Sequence, residues 1–204
     1  MIVRDAMRRR EDQIDPGTYP ERIFMVMTLS QTGEIRPREP GKGHNPPEWL
    51  GMYFDNGSST WFSARAGDVV YSSIDLWKGC IAVVSPEFDG SIVTKEFPIY
   101  EITDPRLDGE FLSYLLRCRY YQRAFRAITT GHSNRRRTQI GDFEALEICF
   151  PSDKKEQQRI IATIRDARSC QREAIALIKS EMLAFSDLVD GRHDGELPNI
   201  EEDV

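Results

Sequence analysis

The chain has 204 residues, 40% hydrophobic and 29% charged, which fits a folded globular protein and excludes a disordered or collagen-like one. No stretch approaches the roughly 18 apolar residues of a membrane span. No apolar run follows Arg8-Arg9-Arg10, so a secretion signal is not expected and a cytoplasmic location is. The formal net charge of −6 weighs against a polyanionic partner only until its distribution is considered.

Residues 1–22 are polar and turn-rich and end near Asp15-Pro16-Gly17. Ile23 to Leu29 is a β-type run closed by Thr32-Gly33. Residues 36–48 hold Pro37, Pro40, Gly41, Gly43, Pro46 and Pro47, the composition of a long irregular loop, and long loops in compact domains are often functional. Within it Asn45-Pro46-Pro47 is followed by Glu48 where an amino-methyltransferase motif has an aromatic residue, and no glycine-rich cofactor loop follows any strand. A proline-rich turn is the reading there.

Short β-rich runs come next: Ser59 to Phe62, Val69 to Ile74, Cys80 to Val84 and Ser91 to Ile102, each bounded by Gly, Pro or Asp. They predict a mostly antiparallel sheet with short connections. Phe111, Leu112, Leu115, Leu116, Tyr120, Phe125 and Ile128 then predict one helix over 109–128. A polar, basic loop runs from Thr129 to Arg137, and a short apolar run from Leu146 to Phe150 ends at Pro151.

The last element is a helix over 154–190. Asp153 and Glu156 fit a capping box, no Gly or Pro interrupts the run, and Gly191 supplies a stop. Its stripe, at alternating spacings of three and four, is Ile161, Ile164, Arg168, Gln171, Ile175, Ile178, Met182, Phe185 and Val189. That is a coiled-coil-like seam with a polar break, and it needs a partner.

Charge is distributed unevenly. From Asp190 onward six acids stand against Arg192, so this tail carries −5 and the preceding 189 residues only −1. From Arg117 to Arg137 there are seven arginines and no acid. Arg117, Arg119, Arg123 and Arg126 lie on the predicted helix and read equally as a solvated face or as a binding surface. His132, Ser133, Asn134, Arg135, Arg136 and Arg137 form a segment suited to nucleic acid, since Arg clamps phosphates and reads guanine edges and Asn can read adenine. Pairing of these arginines with Asp142 or Glu144 is the structural alternative. Arg36, Arg38, Lys42 and His44 in the proline-rich loop form the second candidate.

Cys80, Cys118, Cys149 and Cys170 include no C-x-x-C pair, and the first three sit in apolar runs where a thiol packs like a small hydrophobe. No metal cluster, carboxylate pair or nucleophile-base arrangement is legible, so no catalytic residue and no metal site is assigned.

Gly67-Asp68-Val69-Val70-Tyr71-Ser72 with Gly79 resembles the "G-D-hydrophobic-hydrophobic-Y-S" block of type I restriction-modification specificity subunits. Gly131 to Arg137 with Phe143, Leu146, Ile148 and Pro151 resembles the close of a target recognition domain in that family. Glu156-Gln157-Gln158-Arg159-Ile160 resembles the "E-Q-x-x-I" opening of the long helix that follows such a domain. The resemblance covers residues 15–190 and shows one recognition domain and one helix, where full-length members carry two of each.

It implies an α+β chain: a DNA-binding target recognition domain at 1–151 and a spacer and dimerisation helix at 152–190. The acidic stretch 191–204, by its composition, is expected to be a disordered tail. The resemblance further implies a homodimer on double-stranded DNA that docks methyltransferase subunits and, with them, restriction subunits. Those partners would bind S-adenosylmethionine and carry the catalysis. The alternative is a protein-interaction module on the same fold that has lost specific DNA binding.

Overall fold

The computed structural model describes residues 1–19, 22–39, 60–131 and 136–192, and the chain divides into two compact units, Met1–Arg159 and Ile160–Val204. The chain is α+β. In the first unit α1 (Val3–Ala6) leads into β1 (Met7–Arg10) and β2 (Gln13–Ile14). After a 3-10 turn at Pro16–Thr18 come β3 (Met27–Leu29) and β4 (Ile35–Pro37), then β5 (Trp61–Ser63) and β6 (Val69–Tyr71). A 3-10 turn at Leu76–Lys78 precedes β7 (Ile81–Val83), and another at Pro86–Phe88 precedes β8 (Ile92–Thr94) and β9 (Ile99–Ile102). The helices α2 (Gly109–Arg117) and α3 (Arg119–Ile128) follow, then β10 (Thr129–Thr130), β11 (Arg137–Thr138) and α4 (Ile140–Glu144).

The strands form several small sheets in place of the single one expected. One has the order β1-β9-β6-β7 and another β2-β5-β8, while β3-β4 and β10-β11 are separate hairpins. All these strand pairs are antiparallel. The run from Ser91 to Ile102 is two strands in two sheets, because the chain turns at residues 95–98. There the Phe97 N–H donates to the Thr94 carbonyl at 3.0 Å, and Pro98 has no N–H to continue a ladder.

The polar N-terminal stretch also departs from expectation. Its three arginines lie on β1, which pairs with β9 in the register Met7↔Ile102 to Arg10↔Ile99. As an edge strand with charges on both faces it carries no hydrophobic alternation. Likewise Ile35–Pro37, expected at the edge of an irregular loop, is the returning strand of the β3-β4 hairpin. Residues 40–48 of that loop, Lys42 and His44 among them, lie outside the described residues.

Two helices replace the one expected over 109–128. Cys118 has extended geometry (φ −67°, ψ 158°) and separates α2 from α3. A straight helix would carry Tyr121 about 140° around from Leu116, off the buried face. The break returns Tyr121 and Phe125 to the core beside Phe111, Leu112 and Leu116. Cys118 and Cys149 are exposed, contrary to their reading as packed thiols, and Cys80 is buried as expected.

Met27, Val70, Val84, Phe88, Val93 and Ile99 form one buried hydrophobic cluster. Phe143 on α4 centres an aromatic cluster, 4.4 Å from Tyr71, 5.2 Å from Tyr100 and 6.1 Å from Phe125 between ring centroids. That one side chain ties α4 to β6, β9 and α3.

The helix α5 (Lys154–Val189) has 36 residues, about 54 Å at 1.5 Å per residue. The capping box does not form as expected. Asp153 accepts the N–H of Lys155 at 2.9 Å, while Glu156 turns outward and pairs with Arg159 at 2.7 Å. At the other end Gly191 has φ 67°, the Gly191 N–H reaches the Leu188 carbonyl and the Arg192 N–H reaches that of Asp187. This is a Schellman ending, and its left-handed residue explains the glycine.

Candidate nucleic-acid interface

Many arginines of the first unit already hold a carboxylate. Arg8 pairs with Glu101 at 2.6 Å, Arg9 with Glu11 at 3.0 Å, Arg65 with Asp12 at 2.9 Å and Arg106 with Asp104 at 2.7 Å. Arg10 grips Asp68 through two bonds of 2.9 and 3.0 Å, and the Arg65 N–H adds a third donor at 2.8 Å. The Asp68 side chain is only 3% exposed, so the acid of the Gly67-Asp68 block ties β1 to β6. Its role is internal.

A different set of cations lacks carboxylates. Arg119, Arg123 and Arg126 recur at spacings of four and three and therefore share one face of α3. All three are exposed, and none makes an ion pair with a described residue. The opposite face buries Tyr121 and Phe125, which fixes the rotation of the helix. Tyr121 also accepts the Cys149 N–H at 3.2 Å.

Beside this face lies the Leu76–Lys78 turn. The Trp77 ring has the Arg126 guanidinium 5.6 Å from its centroid and the Lys78 ammonium, which is itself paired with Asp75 at 2.7 Å, 5.3 Å away. Gly79 closes the turn at φ 99°, where a Cβ would stand 2.8 Å from the Gln31 carbonyl and 3.2 Å from the Gln122 amide. Only glycine fits between the β3-β4 hairpin tip and α3. Arg117 fastens the same junction by donating to the Thr32 carbonyl. Tyr120, 73% exposed, completes a basic surface with aromatic rings at its border. Such a surface suits a phosphate backbone through Coulomb attraction from the cations.

Of the residues chosen from sequence, His132, Ser133, Asn134 and Arg135 lie outside the described residues, as do Lys42 and His44. Arg136 is exposed and makes no ion pair with a described residue. Arg137 pairs with Glu96 at 2.9 Å, not with Asp142 or Glu144, and Glu96 also accepts from the Ser73 hydroxyl at 3.1 Å. Glu144 instead accepts from the Tyr100 hydroxyl at 3.0 Å. Because the Thr138 N–H donates to the Ser73 carbonyl, β11 is held at both a side chain and the backbone. Arg36 is exposed and paired with Glu34. Arg38 is half-buried 5.5 Å from the Trp61 ring, and burial lowers its pKa. Trp77, Lys78 and Tyr120 were not singled out from sequence, where Trp77-Lys78-Gly79 read only as punctuation between strands.

In the second unit Ile164, Ile175, Ile178, Met182, Phe185 and Val189 are 44–69% exposed, whereas Ile161 is buried. Arg168 and Gln171 interrupt the stripe where the sequence places them.

Among the described residues no helix is long and apolar enough to cross a membrane, and no three His, Cys, Asp or Glu side chains converge as metal ligands would. No family model matches the sequence, and no curated protein does. Solved structures do. The crystal structure of the HsdS subunit from Thermoanaerobacter tengcongensis superposes with a TM-score of 0.62 at 20% identity, over 98% of this chain and 51% of that one. A structure described as giving the basis of complex assembly and conformational transition in the type I R-M system matches with a TM-score of 0.62 at 19% identity, over the same shares. The chain spans about half the length of each. The resemblance read from the three sequence blocks therefore holds at the level of the fold, which is that of half an HsdS subunit.

Proposed function

We propose that this chain is the DNA sequence-recognition subunit of a type I restriction-modification system in half-size form. The observation that carries this is the match of nearly the whole chain to half of an HsdS subunit. Residues 1–151 act as the target recognition domain and residues 152–190 as spacer and dimerisation helix. Two copies pair antiparallel through α5 and rebuild a two-fold arrangement. A two-fold reader selects a palindromic target, with one half-site under each recognition domain.

The chain contributes no catalysis. Methyltransferase subunits dock on the helices and supply S-adenosylmethionine binding and methyl transfer, and restriction subunits join that complex in the cytoplasm. The exposed residues of α5 support such docking, because Leu177 lies well away from the main stripe, where a two-stranded pair leaves it open, and it is 61% exposed.

On DNA the arginines of α3 hold phosphates, and the segment from His132 to Arg136 supplies the base-reading side chains, with Arg137 anchoring its end on Glu96. The test is binding of a duplex by the chain with its methyltransferase partner, followed by fluorescence anisotropy across a salt series. Replacing Arg119, Arg123 and Arg126 with Gln should weaken binding and flatten the slope of log K against log salt by about 0.9 for each phosphate no longer neutralised. Unchanged affinity and slope would remove α3 from the interface. Strong complex formation with a protein partner and no DNA binding at low salt would favour an interaction module.

A further inference from the structure

We propose that the tip of the β3-β4 hairpin enters the major groove of bound DNA and reads an adenine edge through the side-chain amide of Gln31. The inference rests on the DNA binding proposed above and adds a second base-reading element to the one at His132–Arg136. It begins from the geometry of the hairpin. The Ser30 N–H donates to the Glu34 carbonyl at 2.9 Å and the Gly33 N–H to the Ser30 carbonyl at 3.1 Å. With Gly33 at φ 75°, this is a three-residue hairpin loop, a tight turn with Gln31 and Thr32 at its corners and a left-handed glycine closing it. The Ser30 and Thr32 hydroxyls lie 2.7 Å apart, and the Ser30 hydroxyl accepts the Glu34 N–H at 3.1 Å. Burial falls toward the apex. Met27 is buried, Leu29 and Ile35 pack against its cluster, and Gln31 and Thr32 are exposed.

The apex is fixed beside the basic face of α3. Arg117 donates to the Thr32 carbonyl, and a Cβ on Gly33 would run into the same guanidinium. The Gln31 carbonyl and the Gln122 amide both close on Gly79. At 100° per residue, Gln122 stands about 40° around α3 from Arg126, so the tip borders the arginine face. A duplex whose phosphates lie on Arg119, Arg123 and Arg126 therefore meets the tip alongside. A two-stranded ribbon, its strands about 4.8 Å apart, fits a major groove about 12 Å wide.

Chemistry selects the base. The side-chain amide of Gln31 makes no hydrogen bond with a described residue. It offers a donor and an acceptor together, the pair that matches N7 and N6 of adenine. Glu34, the acid of the tip, is paired with Arg36, which offsets its repulsion of phosphates. A turn held by its own hydrogen bonds loses little conformational freedom on binding.

The test uses the chain with its methyltransferase subunits and the duplex it selects from random DNA. Each A·T pair of the half-site is replaced in turn by G·C, and separately each adenine by 7-deazaadenine, which lacks the N7 acceptor. Wild-type protein should lose about tenfold in affinity at one adenine by either change. Q31A should bind the unmodified duplex about tenfold more weakly and be indifferent to both changes at that position alone. Should Q31A be destabilised in urea, Q31E keeps the size of the side chain, and its preference at that position should move to cytosine, whose N4 donates to a carboxylate. An unchanged profile in either variant, or a half-site in which no adenine responds to the 7-deaza change, overturns the inference and leaves the proposed function standing. Equal loss by Q31A on every duplex, non-specific DNA included, overturns it too and assigns the tip to the phosphate backbone. Wild-type protein that selects no site removes the proposed function, and this inference with it.

Discussion

Gln157 accepts the backbone N–H of Asp108 at 2.8 Å through its side-chain oxygen, while its amide nitrogen donates to the carbonyls of Arg106 and Pro151. The side chain is fully buried. One amide thus closes three backbone groups at the point where α5 begins and α2 is capped, Asp108 itself accepting the Phe111 N–H at 2.9 Å. The Gln of the Glu156-Gln157 block is a structural bolt. Gln157→Ala should cost about 3 kcal/mol in urea unfolding, because buried groups lose partners that water cannot replace. Gln157→Glu should cost at least as much, since a carboxylate cannot donate to the two carbonyls. A variant within experimental error of wild type would contradict this role.

The Arg10–Asp68 pair gives a second stability prediction. Asp68 is nearly inaccessible, and Arg10 supplies two of its three hydrogen bonds. Arg10→Met should destabilise by about 3 kcal/mol, the order expected when one partner of a buried pair is removed. The Arg8–Glu101 pair is far more exposed, at 72% and 36%, and Arg8→Met should change stability by under about 1 kcal/mol. Equal effects of the two substitutions would show that burial does not distinguish them.

Asp104 is the clearest pH-dependent group. The Arg106 guanidinium and then the Arg106 backbone N–H hold its carboxyl down at about 2, against an ordinary 3.8. A depressed acid stabilises the fold in its charged form. That contribution is complete above about 3.8 and is lost as the pH falls through about 2. An NMR titration should place the Asp104 midpoint near 2 in wild type. In Arg106→Gln it should rise but stop short of the ordinary value, because the backbone donor remains. An unchanged midpoint would exclude the guanidinium as the main cause.

Thiol chemistry separates the cysteines. Cys80 is buried, and burial raises its pKa to about 11, so little thiolate forms at neutral pH. Iodoacetamide should modify Cys118, Cys149 and Cys170 in the native protein, with Cys80 reacting only on unfolding. Early labelling of Cys80 in peptide maps would contradict the packing of β6 against β7.

Particular residues show why some of this was legible in sequence. Val69-Val70-Tyr71 and the run through Ile81 are β-branched or apolar stretches between glycines, and both are strands as read. The long helix was equally plain, from a run with no Gly or Pro, its stripe and its terminal glycine. Strand β1 was hidden because its partners, Glu101 and Asp68, are distant in sequence, so Arg8-Arg9-Arg10 showed charge and no pattern. The break at Cys118 was hidden because tertiary packing of Tyr121 and Phe125 decides it. At the interface, the count of arginines was legible but their availability was not. Arg137 and Arg119 look alike in sequence, and only the fold brings Glu96 to Arg137 and leaves Arg119 without an acid among the described residues.

The central claim is that two copies of this chain read a divided, two-fold DNA site. Selection from a random duplex library, using the chain with its methyltransferase subunit and sequencing of the bound fraction, tests it most directly. The expected result is enrichment of a palindromic pair of half-sites separated by a spacer of fixed length and free sequence. No enrichment at low salt, or enrichment of a single continuous non-palindromic sequence, would contradict it.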